Sequence, residues 1–278
     1  MCARFFVDSK IFRIFFVVLC FMGALKAEDS NEFNPDIPTL EKECSANKFV
    51  SCANLGVVYL FGVNVTQNTQ KGIELTTKAC NGGVARACNY LAMTYYDGND
   101  NFGIKQDLTK AFNFILKGCN LKDMVACGYV GLFYSNGDGI KKDLVKAREY
   151  FVKACNGNIY FACNNLGVIY RDGKGVKQDY IKAREYYTKA CNGDDYESCA
   201  GLGALYAEGK GIRQDFIKSK ELATKACDGQ SAIGCYNVGV RYYNGEGARQ
   251  DKSMAKEYFD KACDLGYQDG CDAYKDLN

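Results

Sequence analysis

KACNGNIYFACNNLGVIYRDGKGVKQD, residues 153–179, decides how the whole chain reads. It carries two cysteines eight positions apart, and variants of it return throughout the 278-residue sequence. Cys44, Cys80, Cys119, Cys155, Cys191, Cys227 and Cys263 each have a second cysteine eight residues on, at Cys52, Cys88, Cys127, Cys163, Cys199, Cys235 and Cys271. The step between pairs is 36 residues, except for 39 between Cys80 and Cys119, where YDGNDNFGIKQD (96–107) is three residues longer than its counterpart YSNGDGIKKD (134–143). A fixed period outranks any local window, and lengthening a turn costs little closure entropy.

Each period reads as two helices. Counted from the second cysteine, position +3 is Leu55, Leu91, Val130, Leu166, Leu202 and Val238. Position +4 is Gly56, Ala92, Gly131, Gly167, Gly203 and Gly239, and +7 is Tyr59, Tyr95, Tyr134, Tyr170, Tyr206 and Tyr242. Spacings of 3, 4 and 7 share one helical face. Glycine inside a helix costs about 1 kcal/mol relative to alanine, so its return at +4 implies a neighbour too close for a side chain. Glycines in DGKGVKQD then end the helix, and Asp107, Asp143, Asp179, Asp215 and Asp251 stand where a second helix needs an N-cap. That helix, YIKAREYYTKAC (180–191), repeats small and apolar residues at Ala183, Tyr186, Tyr187 and Ala190. Asn156-Gly157, Asn192-Gly193 and Asp228-Gly229 are expected to close it.

The first 27 residues read as a secretory signal. Arg4, Lys10 and Arg13 precede the apolar run IFFVVLCFMGAL (14–25), and Ala27 offers a cleavage site. Lipidation of Cys20 is disfavoured by the bulky Leu19 before it. Removing this segment lowers the formal charge from +2 to −1, which leaves no electrostatic footprint for nucleic acid. The remaining 28–278 is expected to form about six full repeats with capping helices and no membrane span. Secretion or a periplasmic location places the 14 paired cysteines where disulfides persist. Pairing across the 28-residue intervals would orphan Cys44 and Cys271, whereas pairing across eight leaves none over. We therefore expect Cys44–Cys52, Cys80–Cys88, Cys119–Cys127, Cys155–Cys163, Cys191–Cys199, Cys227–Cys235 and Cys263–Cys271. Without histidine or CxxC, zinc binding is a poor alternative. Each bridge would staple the turn between one helix pair and the next.

LGxxYxxGxGVxQD followed by KAxEYYxKA resembles the SEL-like repeat, a relative of the tetratricopeptide repeat, over about residues 40–278. The cysteine pair in each unit is similar to the secreted Helicobacter cysteine-rich protein family. The first copy departs from the pattern, with Asn64 for the second glycine, Asn68 for the capping aspartate and Gly72 for the helix alanine. The resemblance implies an all-α, right-handed superhelical solenoid of antiparallel helix pairs with a concave surface and one disulfide per repeat. It also implies penicillin binding, weak β-lactamase activity and release towards a host.

Chemistry is sparse. The absence of histidine removes the commonest general base and metal ligand, and paired cysteines are not nucleophiles. There is no GxxxxGK[ST] loop, and no cofactor or metal is expected. The β-lactamase implication requires S-x-x-K, which occurs at Ser45–Lys48 and Ser253–Lys256, but the supporting S-D-N and K-T-G elements do not occur. Ser45 with Lys48 is the stronger catalytic candidate. Positions +2 and +9 of the first helix lie opposite the packed face. Asn54, Tyr90, Tyr129, Asn165 and Asn237 at +2 are therefore candidates for a groove that binds an extended peptide. The preferred reading is a stapled scaffold for a peptide or protein partner, of host or cell-envelope origin. The alternatives are a penicillin-binding or β-lactamase-type hydrolase and an adaptor for peptidoglycan fragments.

Overall fold

A computed structural model describes residues 36–98, 100 and 103–277. The signal-peptide reading of residues 1–27, Cys20 included, lies outside the described residues, as does most of the three-residue insertion. Fourteen α-helices follow one another among the described residues. They are α1 Ile37–Ser45, α2 Phe49–Phe61, α3 Thr69–Asn81, α4 Ala85–Asp97, α5 Leu108–Asn120, α6 Met124–Asn136 and α7 Leu144–Asn156, then α8 Tyr160–Asp172, α9 Tyr180–Asn192, α10 Tyr196–Glu208, α11 Phe216–Asp228, α12 Ala232–Asn244, α13 Lys252–Asp264 and α14 Gln268–Asp276. Two compact units make up the chain. One holds residues up to 130 with 138–141, and the other holds 131–137 and 142 onward.

Within each unit the even-numbered helix lies antiparallel to the odd-numbered one after it. In the second unit Gly167 faces Tyr187 while Tyr170 stacks on Tyr186 with ring centroids 5.7 Å apart, so partner numbers run in opposite directions. The +4 glycines sit at this crossing. A Cβ on Gly167 would stand 2.5 Å from the Tyr187 ring, and one on Gly239 would stand 2.6 Å from Phe259. The helix-propensity cost at +4 is thus offset by burying an aromatic side chain, with Tyr187 1% exposed and Phe259 4%. The +3 residues are buried beside them, and the +7 tyrosines are half-buried, Tyr59, Tyr95, Tyr134 and Tyr170 under a lysine from the second helix of their own pair, as Lys182 lies 5.3 Å above Tyr170.

Turn chemistry joins the helices of a pair. Asp107, Asp143, Asp179, Asp215 and Asp251 each accept a backbone N–H from the first turn of the following helix. Asn68 does the same in the first copy, accepting from Lys71 N at 2.9 Å, and Asn64 takes the glycine's left-handed place with φ 56°. The departures there preserve both functions. Gly72 leaves room for Leu60, whose Cγ would lie 2.5 Å from a Cβ. The glutamine before the cap has a role that the sequence did not disclose. Gln67, Gln106, Gln178, Gln214 and Gln250 donate through Nε2 to the carbonyls of Leu60, Tyr96, Arg171, Ala207 and Tyr243, at 2.7–2.9 Å. These bonds satisfy carbonyls that a helix end otherwise leaves without partners.

The glycines expected to close the second helix do so. Gly157, Gly193 and Gly229 cap their helices with φ of −83°, −96° and −83°, which any residue can adopt. The left-handed residues are the next ones, Asn158, Asp194 and Gln230. What glycine supplies here is space. A Cβ at Gly82, Gly193 or Gly229 would overlap the ring of Phe49, Tyr160 or Tyr196, each at the start of the preceding even-numbered helix. Where that first residue is Ala85 or Ala232, the residue in the glycine register is Leu121 or Leu265.

Between pairs, all seven disulfides join the cysteines eight apart, with Cα–Cα distances of 4.4–4.9 Å. Closing so short a loop contributes about 2.5 kcal/mol in the chain-entropy picture. A lysine adds to each of several joints. Lys78, Lys189 and Lys225 donate to the carbonyls of Cys44, Cys155 and Cys191, one repeat earlier, at 2.7–3.0 Å. They place positive charge at the negative end of the preceding second helix.

Candidate functional site

In the first unit the +2 residues are Asn54, Tyr90 and Tyr129. The Asn54 Oδ1 accepts from Arg86 Nη2 at 3.4 Å. Tyr90 is buried, 6% exposed, and burial pushes its hydroxyl up to about 12. Tyr129 is 42% exposed, and its hydroxyl is likewise raised by burial. Of the three, Tyr90 contributes to the core and Tyr129 to the surface.

In the second unit the column is Asn165, Gly201 and Asn237, all half-buried. The Asn165 Nδ2 donates to Phe161 O at 2.8 Å, one turn back, so its amide is held in one orientation. Beneath Gly201 lies the Tyr187 ring, with Cζ 3.1 Å from where a Cβ would stand. The Tyr187 hydroxyl is buried with no hydrogen-bond partner among the described residues, and desolvation raises it to about 12. An unmade buried hydrogen bond costs about 1–3 kcal/mol. The floor of this column therefore holds an unused donor. Flanking it at +9, Asp172 is gripped by Arg171 (2.7 Å) and Lys174 (2.8 Å), and those hydrogen bonds lower its carboxyl to about 2. One residue before the column, Ser198 Oγ donates to Asn164 Oδ1 at 3.0 Å and links consecutive first helices. In the first unit Asn89, in the register of Asn164, donates through Nδ2 at 2.8 Å to Asp123 Oδ2, three residues nearer the helix start than the register of Ser198.

The catalytic candidates are placed differently. Ser45 ends α1 and is exposed. The Lys48 ammonium sits 2.7 Å from Glu43 Oε1, and Ser51 Oγ donates to the other oxygen of Glu43 at 2.6 Å. Glu43 is correspondingly held below the usual carboxylate range, first by Lys48 and then by Ser51. The Lys48 ammonium is thus charged and paired at the surface, with its side chain 64% exposed. Ser253 is exposed in the first turn of α13, its N–H donating to Asp251, and Lys256 lies 5.2 Å over the Tyr274 ring. Among the described residues no group of three or more histidine, cysteine, aspartate or glutamate side chains gathers to hold a metal ion. No helix among them is long and apolar enough to cross a membrane.

This architecture defines a class, the disulfide-stapled helix-pair repeat scaffold. Six consecutive Sel1 repeats match at residues 50–84, 85–123, 125–159, 161–195, 197–231 and 232–267, and the chain belongs to that repeat family. Its structure is similar to that of a protective antigen of uropathogenic Escherichia coli, with a TM-score of 0.76 at 24% identity, covering 85% of this chain and 50% of the antigen. Helicobacter pylori cysteine-rich protein B is 34% identical, covers 49% of this chain and 98% of its own, and superposes with a TM-score of 0.38. Cytochrome c oxidase assembly factor 7A of Xenopus laevis is 34% identical over 94 residues, 32% of this chain and 38% of the frog protein. This chain therefore spans well under half the length of the curated relatives it matches.

Proposed function

We propose that the chain is a secreted or periplasmic scaffold that binds a peptide or protein partner along the exposed face of its first helices. Sel1 repeats generally mediate contacts between proteins. Seven disulfides suit an oxidising compartment. The observation that carries the reading is the column Asn165, Gly201 and Asn237 over the unpartnered Tyr187 hydroxyl. Amide side chains at one position per repeat match the backbone donors and acceptors of an extended chain, and a side-chain-free step at Gly201 lets that chain approach closely. A peptide selected from a random display library against the oxidised protein tests this. Replacing Asn165 and Asn237 together with alanine should weaken its binding about tenfold at unchanged thermal stability. Unchanged affinity removes the first-helix face from the reading.

Nothing in the geometry favours hydrolysis, because Lys48 is held by Glu43. Incubation with a penicillin followed by intact-mass measurement should show no covalent adduct. An adduct mapped to Ser45 and lost in Ser45→Ala would replace the scaffold reading with the hydrolase one.

A further inference from the structure

A second surface, on the opposite helix of each pair, is built from one aliphatic and one basic residue per repeat. Val145, Ile181 and Ile217 occupy the second position of α7, α9 and α11, and are 49%, 55% and 63% exposed. Lys177, Arg213 and Arg249 stand two residues before the capping aspartates of α9, α11 and α13, and all three are exposed. None of these cations makes an ion pair or side-chain hydrogen bond with another described residue. Other charges in the same turns are neutralised, Lys174 by Asp172, Lys210 by Glu208 and Glu246 by Arg241.

The two rows interleave because each turn packs on the start of the preceding second helix. A Cβ on Gly175 would meet Leu144 at 2.9 Å and one on Gly211 would meet Tyr180 at 2.6 Å, while Gly247 lies against Phe216 and Ile217. Arg184 Nη1 fastens the middle joint by donating to Gly211 O at 2.9 Å. The order along the second unit is therefore Val145, the turn bearing Lys177, Ile181, the turn bearing Arg213, Ile217, the turn bearing Arg249. The first unit carries the same joint once, with Gly139 against Leu108, Thr109 Oγ1 donating to Gly139 O at 3.1 Å, and Lys141 exposed in the turn.

We propose that this edge of the second unit docks an extended acidic peptide segment of a partner protein, with one carboxylate and one apolar side chain per repeat. The positive row calls for negative charge, and its neighbours call for apolar contact. The row is single file, as an extended chain requires. An extended chain advances about 3.3 Å per residue, so a short acidic–apolar repeat can bring successive carboxylates and apolar side chains to successive steps of the row. The surface lies apart from Asn165 and Asn237, so this inference stands or falls without the first-helix reading.

Fluorescence anisotropy of the full oxidised chain with a labelled Glu-Leu-Gly repeat peptide tests it, with a Lys-Leu-Gly repeat peptide and phosphatidylcholine–phosphatidylglycerol vesicles in parallel. The acidic peptide should bind and the basic one should not. The variant carrying Lys177→Glu, Arg213→Glu and Arg249→Glu should lose about tenfold or more in affinity, and the variant carrying Val145→Ser, Ile181→Ser and Ile217→Ser should lose severalfold. Both should keep the parent's helical circular dichroism, since every altered side chain is exposed. Equal binding by the charge-reversed variant overturns the proposal. So does binding to the vesicles without binding to the peptide, which would assign the edge to a lipid surface.

Discussion

The pairing of Tyr160 with Gly193 offers a test in which the chain supplies its own control. A Cβ at Gly193 would fall inside the Tyr160 ring, and backbone strain plays no part, because φ −96° and ψ 21° are open to any residue. Leu121 and Leu265 occupy the same register at φ −80°, opposite Ala85 and Ala232. Gly193→Leu in the parent should therefore cost about 1–3 kcal/mol through overpacking. Tyr160→Ala should cost about 2 kcal/mol, less than a fully buried aromatic, since Tyr160 is half-buried. Together they should rebuild the Ala–Leu packing found at the other two joints and recover to within about 1 kcal/mol of the parent, a coupling of about 2–3 kcal/mol. Guanidinium unfolding of the oxidised protein, followed by circular dichroism, measures all four corners of the cycle. Additive losses, or a Gly193→Leu variant as stable as the parent, would refute the argument that volume sets this position.

Tyr187→Phe removes a buried hydroxyl without a partner and should leave stability unchanged or raise it by up to about 1 kcal/mol, read from the same unfolding curves. Asp179→Ala deletes the cap of α9 and should cost about 1 kcal/mol, with Asp179→Ser recovering most of it. Replacing Cys191 and Cys199 by serine opens one joint and should lower stability by about 2–3 kcal/mol under oxidising conditions, while reduction should no longer distinguish variant from parent. The Asp172 carboxyl is held at about 2 by Arg171 and Lys174, below its ordinary 3.8. Its depressed value means that its stabilisation is present above about pH 4 and is lost as pH falls towards 2. Asp172→Asn should therefore destabilise the protein at neutral pH and not at pH 2, and an equal loss at both would refute the assignment.

The periodic parts of the fold were legible because they recur. Cysteine spacing, the Leu-Gly-Tyr face and the capping aspartates each state one physical requirement several times over, so chance agreement is averaged away. The glutamine before five of the six caps recurs nearly as faithfully, with Lys142 before Asp143, yet it stands in the turn while its partner carbonyl lies at the end of the preceding helix, so no helical period links the two. The space-making role of Gly82, Gly193 and Gly229 is hidden for a related reason. A helix-terminal glycine suggests left-handed backbone by default, while the ring that excludes a side chain sits 33 residues earlier. The signal was nevertheless present in one sequence, since an aromatic residue at that earlier position goes with glycine at three joints and alanine with leucine at two, with Met124 and Gly157 the remaining pair. The binding columns were hardest to read. Tyr90 and Tyr129 share a register, yet one is core and the other surface, because burial depends on what the adjacent repeat places against them. A repeat thus specifies its own scaffold redundantly, and specificity falls to the positions where copies differ. In the second unit those are the Asn–Gly–Asn column and the changing cations at the turns; Asn165, Asn237 and the cations are open to substitution without disturbing the packing that holds the helices together, whereas Gly201 stays small because a Cβ there would stand 3.1 Å from the Tyr187 ring.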